Sequence, residues 1–424
     1  MRIYFSGIGG VGIGPLALIA HEAGYDVTGS DREDGLMTAE LRERGIAYSL
    51  EQSGDFLRAA HHQAPIDWFV YTSALPAEHP ELLAARELGL RTAKRDELLA
   101  HIITQKDLQL IAIAGTHGKT TTTGMMTWAL QQLNEAVSYS IGTTLSWGPS
   151  GHYAENSRFF VYECDEFDRN FLHFSPEHSL ITSIEHDHAD TYPTAAEYYA
   201  AFEQFISQSH TAVAWRQDIT VHEIEVAGSD ITLLDKTAPQ PELKLAGQHN
   251  RENAALVLEK LQQLGFAKTD SIAALNSFPG TQRRFEKLAD NLYSDYGHTP
   301  TEIAATLQMA RELSEHVVLV YQPHQNVRQH EILHDYIDSL FADADAVLWL
   351  PTYLSRELPD LNILAPETLT AHLHTTALSH HTFDATLWQK IEQKRQAGAL
   401  VLCMGAGTID GWVRQQLANE SLDA

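Results

Sequence analysis

Basic residues are scarce. The 424-residue chain carries 29 lysines and arginines against 56 aspartates and glutamates, a net charge of −27. So acidic a chain repels a nucleic-acid backbone, and no nucleic acid is expected as partner. Small anionic substrates stay possible, because one local cation can hold them, and the excess charge serves solubility. Cysteine is scarcer still. Cys164 and Cys403 both lie in or beside apolar, strand-like stretches. A disulfide framework is thereby excluded, and a reducing cytoplasm fits. Apolar runs of about 18 residues are missing, so no membrane insertion is expected. The N-terminal MRIYFSGIGG has neither the basic nor the apolar region of a signal peptide. Low-complexity segments are absent. At this length two or three domains are expected rather than one core.

What is present is organised around residues 108–133, LQLIAIAGTHGKTTTTGMMTWALQQL. An apolar run of strand length, 108–114, stops at Gly115. Met125, Met126, Ala129, Leu130 and Leu133 then recur at helical spacing. A strand, a glycine turn and a helix opening on Lys-Thr-Thr form a phosphate cradle, because N–H groups of the turn and helix start converge on one anion. Gly115, Thr116, His117, Gly118 and Thr121 supply the turn. Lys119 reaches the outer phosphates, and the Thr120 hydroxyl can ligate Mg²⁺. The full P-loop pattern has glycine at position 113, where this chain has Ile113. The bland alternative is a glycine turn with a surface lysine.

Residues 2–12 read as a strand and the turn GIGGVG, with Gly7, Gly9, Gly10, Val11 and Gly12. A second strand ends at Ser30 and Asp31. An acid about 20 residues beyond the glycines is where a dinucleotide-binding fold holds a ribose. Alone this reads as an NAD-dependent oxidoreductase, as tight packing only, or as a crevice for another nucleotide such as a uridine nucleotide. A further βα unit follows at 66–72, then Ser73, then a helix around 80–88. The stretch 93–106 looks like a bridge to the next domain. After the cradle, 159–162 reads as a strand ending in Glu163, Asp165 and Glu166. Glu163, flush with the strand, is placed to share a metal with Thr120; Asp165 and Glu166 either join it or form a solvated loop. Residues 180–184 read as another strand, running into Glu185, His186, Asp187, His188 and Asp190. With 23 histidines, single ones such as His210, His222, His334, His372, His380 and His381 are read as surface residues. His188 differs because it shares a strand end with acids. His249, Asn250 and Asn253 open a helix and exceed what capping needs. Residues 278–286 read as a hinge into a third βα region. There Asp295, Tyr296, His298, His324 and Arg328 cluster at expected strand ends. Residues 353–388 give little to read.

GIGGVG with GSD, GTHGKTTTT, YECDEFD, IEHDHADTY, AGQHNRENAA, TQRRF, SDYGHTPTE, YQPH and MGAG, in this order, resemble the Mur ligase family, the ATP-dependent amide-forming enzymes of peptidoglycan synthesis. The resemblance covers nearly the whole chain. It implies an α/β protein of three domains. Residues 1–105 would be Rossmann-like and bind a UDP-sugar. Residues 106–279 would be a P-loop-type ATPase with a mainly parallel sheet. Residues 280–424 would be a second Rossmann-like domain that closes with the amino acid. It implies a cytoplasmic ligase, monomer or homodimer, using ATP and Mg²⁺. The branch that joins L-alanine to UDP-N-acetylmuramate is the nearest likeness. The branch that recycles a tripeptide onto the same sugar nucleotide is the alternative. Lysine is absent between Lys119 and Lys236, where later Mur ligases carry a carbamylated lysine; a histidine matching His188 would serve instead. The alanine-adding branch usually has arginine after QPH, where this chain has Gln325, and Arg328 matches the second arginine. The resemblance further assigns Lys119, Glu163 and His188 to catalysis, with Thr120, Glu163 and His188 at metal. It assigns His249, Asn250, Asn253, Arg284 and Asp295 to ATP. Gly7, Gly9, Gly10, Val11, Ser30, Asp31 and Ser73 would meet the UDP-sugar, and Tyr296, His298, His324 and Arg328 the amino acid. A non-catalytic sugar-nucleotide-binding paralogue is the rival of a different class, and it would have lost Lys119, Glu163 or His188. A P-loop motor would explain only residues 108–133.

Overall fold

The computed structural model describes residues 1–72, 75–188, 191–226, 230–238, 242–355, 357–374 and 377–423. The chain forms two compact units, one of residues 1–242 and 253–278, the other of residues 243–252 and 279–424.

The first unit holds two sheets. Strands β1 (Arg2–Ser6), β2 (Asp26–Ser30), β3 (Ala47–Ser49), β4 (Trp68–Tyr71) and β5 (Arg91–Lys94) form an all-parallel sheet in the order β3-β2-β1-β4-β5. This is the doubly wound arrangement, with the chain reversing direction beside β1. The second sheet contains β6 (Gln109–Ala114), β7 (Val137–Ser140), β8 (Gly151–His152), β9 (Phe159–Glu163), β10 (His178–Ile181), β11 (Thr211–Trp215) and β12 (Asp230–Leu234). Its order is β12-β11-β10-β6-β9-β7-β8, parallel except for β7 with β8. β6 and β9, side by side at the centre, deliver the cradle and the acids to one edge.

Helix Arg95–Gln105 joins the two sheets. Its Leu98, Leu99 and Ile102 belong to one apolar cluster that reaches from Ile3 and Phe5 to Phe160 and Phe171. Each such side chain contributes about 1.5–3 kcal/mol of burial. The stretch expected to be a bridge is therefore shared core, and two of the three sheets fold as one body.

The second unit has β13 (Glu286–Ala289), β14 (Leu292–Asp295), β15 (Val317–Tyr321), β16 (Ala346–Trp349), β17 (Ala377–His380) and β18 (Leu400–Met404), ordered β13-β14-β18-β15-β16-β17, with only β13 antiparallel among the described strands. β15 and β18 are buried along their whole length, as unbroken apolar runs in a helix-covered parallel sheet must be. Among the described residues no helix is long and apolar enough to cross a membrane.

Candidate active site

β6 ends at Ala114, and Gly115 turns the chain at φ +135. A Cβ there would lie 2.2 Å from the Thr182 hydroxyl oxygen, so only glycine fits. Gly118, at φ +84, precedes helix Lys119–Gln132, whose start has no side-chain cap. The first N–H groups of a helix have no partner within it, so this end is suited to an anion. The Thr116 N–H donates to the Ser183 carbonyl (3.0 Å) and the His117 N–H to the Ser183 hydroxyl (2.9 Å), tying the turn to the segment after β10.

Lys119 folds back over this turn. Its ammonium donates to the Gly115 carbonyl at 2.6 Å and lies 2.8–2.9 Å from both oxygens of Glu166. Glu166 has no exposed surface. His188 approaches the same carboxylate, Nε2 to Oε1 at 3.6 Å. Burial alone would neutralise each of these groups, yet their mutual charges outweigh it: Lys119 and His188 stand above their ordinary pKa, and Glu166 stands below. Asp165 goes the other way, raised by burial and by the charge of Glu166.

Glu163 sits apart from this knot. Its Oε1 accepts the Thr120 hydroxyl at 2.8 Å, and its Oε2 accepts the Gly142 N–H at 2.8 Å. The ligand atoms of Asp165, Glu166 and His188 lie within 4.8 Å of one another. These two carboxylates and the imidazole form an oxygen-rich donor set that fits Mg²⁺, and the Thr120–Glu163 pair is a second pair of oxygen donors. The acids after β9 are therefore not a solvated loop. Asp190 lies outside the described residues, and His186 bonds the Tyr192 carbonyl instead.

Asn253 closes one side of the cradle: a Cβ on Gly118 would lie 2.8 Å from its Oδ1. His249 and Asn250 belong to the other unit, where Asn250 donates to the Ala246 carbonyl (3.1 Å) and meets Met309 Sδ (3.4 Å).

At the first glycine turn, Gly7 and Ile8 donate to the Ser30 carbonyl. The Gly9 N–H donates to Asp31 Oδ2 at 2.7 Å. Ser30 turns its hydroxyl inward to the buried Glu81 (2.8 Å), which also accepts from Tyr4 and Ser6 at 2.6 Å each. Val11 is 91% exposed at the tip, and Ser73 lies outside the described residues. No motif in the chain singles out Arg95, whose Nη1 is 3.1 Å from where a Gly12 Cβ would stand. Nor does any motif single out Tyr192, which donates to the Glu166 carbonyl oxygen at 2.6 Å.

In the second unit Tyr296, His298, His324 and Arg328 do come together. An Arg328 Nη1–H donates to His298 Nε2 at 3.0 Å. Arginine can only donate, so Nε2 is the acceptor and the ring proton sits on Nδ1, facing the Tyr296 carbonyl at 3.3 Å. Burial keeps both imidazoles neutral: His298 is lowered and His324 is lowered to about 4. His324 lies parallel to Tyr353 at 5.6 Å, with its Nδ1 buried and unbonded. Arg283 and Arg284 lie over the Tyr296 ring at 4.7 and 5.0 Å. Asp295 is held by the Phe285 and Gly297 N–H groups, and burial pushes its pKa up to about 6. Gln325 adopts φ +60 at the start of helix Asn326–Ile332, its N–H on the Tyr353 carbonyl.

A doubly wound sheet, a phosphate-binding type of turn with acids at its rim and a third α/β sheet are the parts of this chain. Three family descriptions match in series: Mur ligase family catalytic domain at 2–107, Mur ligase middle domain at 113–238, and Mur ligase glutamate ligase domain at 283–407. The chain belongs to the Mur ligase family. It is 33% identical to a UDP-N-acetylmuramate–L-alanine ligase of Nocardioides sp. over 96% of this chain and 94% of that one. It is 30% identical to the same-named enzyme of Gloeobacter violaceus over 96% and 93%. Among solved structures, the UDP-N-acetylmuramate–alanine ligase of Thermotoga maritima superposes with a TM-score of 0.77 at 25% identity, over 100% of both chains. A murein peptide ligase of Psychrobacter arcticus shares the fold at 21% identity and a TM-score of 0.64.

Proposed function

We propose that this chain joins L-alanine to UDP-N-acetylmuramate in the cytoplasm, turning ATP into ADP and phosphate. The observation that carries the reaction type is the Lys119 ammonium, half-buried at an uncapped helix start and paired with the Glu166 carboxylate. The names of the relatives support the substrates. Residues 1–105 would bind the sugar nucleotide, 106–279 ATP, and 280–424 the amino acid. An oxygen of the sugar's carboxylate attacks the γ-phosphorus, the bond to ADP breaks, and an acyl phosphate forms. The amine, having lost its proton, attacks the acyl carbon, and phosphate departs.

Lys119 faces the charge that builds on the transferred phosphoryl group, with the Gly118–Thr121 end of the helix beside it. Thr120 and Glu163 would hold one Mg²⁺ and His188, with Asp165 and Glu166, would hold a second; when bound, these ions neutralise phosphate charge. Asn253 flanks the turn; His249, Asn250, Arg284 and Asp295 would be further nucleotide contacts. Gly7, Gly9, Gly10, Val11, Ser30 and Asp31 are assigned to the sugar nucleotide. Asp31 already occupies the Gly9 N–H, so it shapes the turn and leaves the cationic contact to Arg95. Arg328 would meet the carboxylate of the amino acid bidentately. Its bond to His298 fixes that ring as a donor toward Tyr296, and His324 offers a neutral nitrogen.

Phosphate release from ATP with UDP-N-acetylmuramate and Mg²⁺ tests this against L-alanine, glycine, L-serine and the L-Ala-γ-D-Glu-diaminopimelate tripeptide. Release that requires L-alanine supports the reading. Release with the tripeptide alone assigns the chain to peptide recycling and makes Gln325, in place of arginine, the first residue to examine.

A further inference from the structure

We propose that Glu166 is the resting partner of Lys119 and makes nucleotide binding conditional on a divalent cation. This rests on the reading that ATP phosphates occupy the turn at 115–121.

The Glu166 carboxylate is fully buried and has two cations in reach. Lys119 contacts both of its oxygens, and the His188 imidazole is 3.6 Å away. The same ammonium is the group positioned to meet the outer phosphates. It cannot serve both at full strength. When phosphate draws Lys119 off, Glu166 keeps its burial and loses its chief partner, and an uncompensated buried charge is strongly disfavoured. His188 carries at most one positive charge, while Asp165 stands beside Glu166 as a second acid. A divalent cation seated among Asp165, Glu166 and His188 restores the balance, and their ligand atoms already lie within 4.8 Å of one another. The backbone around them is braced: His188 holds φ +57, its carbonyl accepting the Thr191 and Tyr192 N–H groups at 2.8 Å, and Tyr192 donates to the Glu166 carbonyl. The exchange of Lys119 for metal therefore calls for side-chain adjustment on a held backbone. Toward the nucleotide Glu166 acts through Lys119, as a positioning residue, and toward the cation it is a ligand.

The test is binding of a non-hydrolysable ATP analogue to the full chain by calorimetry, in EDTA and in Mg²⁺. The wild type should bind weakly in EDTA and gain about ten- to a hundredfold with Mg²⁺, the scale of one charge-assisted contact. Glu166→Gln removes the competitor: binding in EDTA should tighten by about tenfold or more, and the gain from Mg²⁺ should shrink. Glu166→Asp should restore the Mg²⁺ dependence. Glu166→Gln binding no tighter than wild type in EDTA, with the Mg²⁺ gain intact, overturns the proposal. If Glu166→Gln fails to fold, Mn²⁺ binding without nucleotide decides, followed by electron paramagnetic resonance. Lys119→Ala takes away the chief partner of Glu166 and should bind Mn²⁺ about tenfold tighter than wild type; equal or weaker binding overturns the proposal. A wild type that binds the analogue with Mg²⁺ but shows neither effect loses the coupling and keeps the ATP site. A wild type that never binds the analogue loses both.

Discussion

Two glycine turns in the first unit share a local design and differ in charge. Each follows a buried parallel strand, β1 or β6, and each leads into a helix without a capping side chain. At 115–118 the turn gathers an ammonium, from its own helix, and acids from the end of β9. At 7–12 a carboxylate, Asp31, holds the Gly9 N–H, and a cation, Arg95, arrives from the helix after β5. Glycine spacing encodes the turn. Which charge the turn handles is decided by side chains delivered from neighbouring strand ends.

The largest effect that sharpens this contrast is at Lys119. Lys119→Ala should cut kcat by about a thousandfold or more, as loss of a charge aimed at the transition state does, while circular dichroism and thermal melting show a folded protein. A folded Lys119→Ala enzyme of near-normal rate would make the two turns equivalent. Next comes Glu163→Ala, which takes the partner from the Thr120 hydroxyl. Activity should fall about ten- to a hundredfold with a raised Mg²⁺ requirement, read from rate against Mg²⁺ concentration. An unchanged Mg²⁺ requirement would remove Glu163 from the metal. At the first turn, Asp31→Asn should raise KM for the sugar nucleotide by about tenfold and leave KM for ATP alone. Equal rises in both would break the contrast.

The last effect is on stability rather than on turnover, and concerns His249 in the second unit. Burial, helped by the Arg251 charge, lowers it to about 4. The unfolded chain, with an ordinary histidine near pH 6.5, takes up the proton first. Stability from this group is therefore full above about pH 6.5 and lost as pH falls toward 4, about 2 kcal/mol by pH 5. Thermal melting at pH 7.5 and pH 5 should show a smaller acid loss in His249→Gln than in wild type.

Much of this fold is legible in the chain. Stretches such as VVLVY and LVLCM are buried on both faces and read as unbroken apolar runs. β10 is displaced from the expected 180–184 to His178–Ile181, because its buried Ser179 interrupts the apolar pattern. β17 left no signal: its ends, Ala377 and His380, are exposed, so neither face has a hydrophobic period. In the site, Lys119, Thr120 and Glu163 are legible because their positions follow from strand and turn. Glu166 is not, because three acids in one short loop look alike until packing buries one of them. Arg95 is hidden for a related reason: its contact with the first turn depends on how two sheets share a core.

The most direct test of the central claim follows one oxygen atom. UDP-N-acetylmuramate labelled with ¹⁸O in its carboxylate is turned over with ATP and L-alanine, and the released phosphate is weighed by mass spectrometry. An acyl phosphate formed in the 115–121 cradle delivers one labelled oxygen from the carboxylate to each phosphate. Phosphate that carries no label would mean that ATP is cleaved by water and that the account of this chain as an acyl-phosphate ligase is wrong.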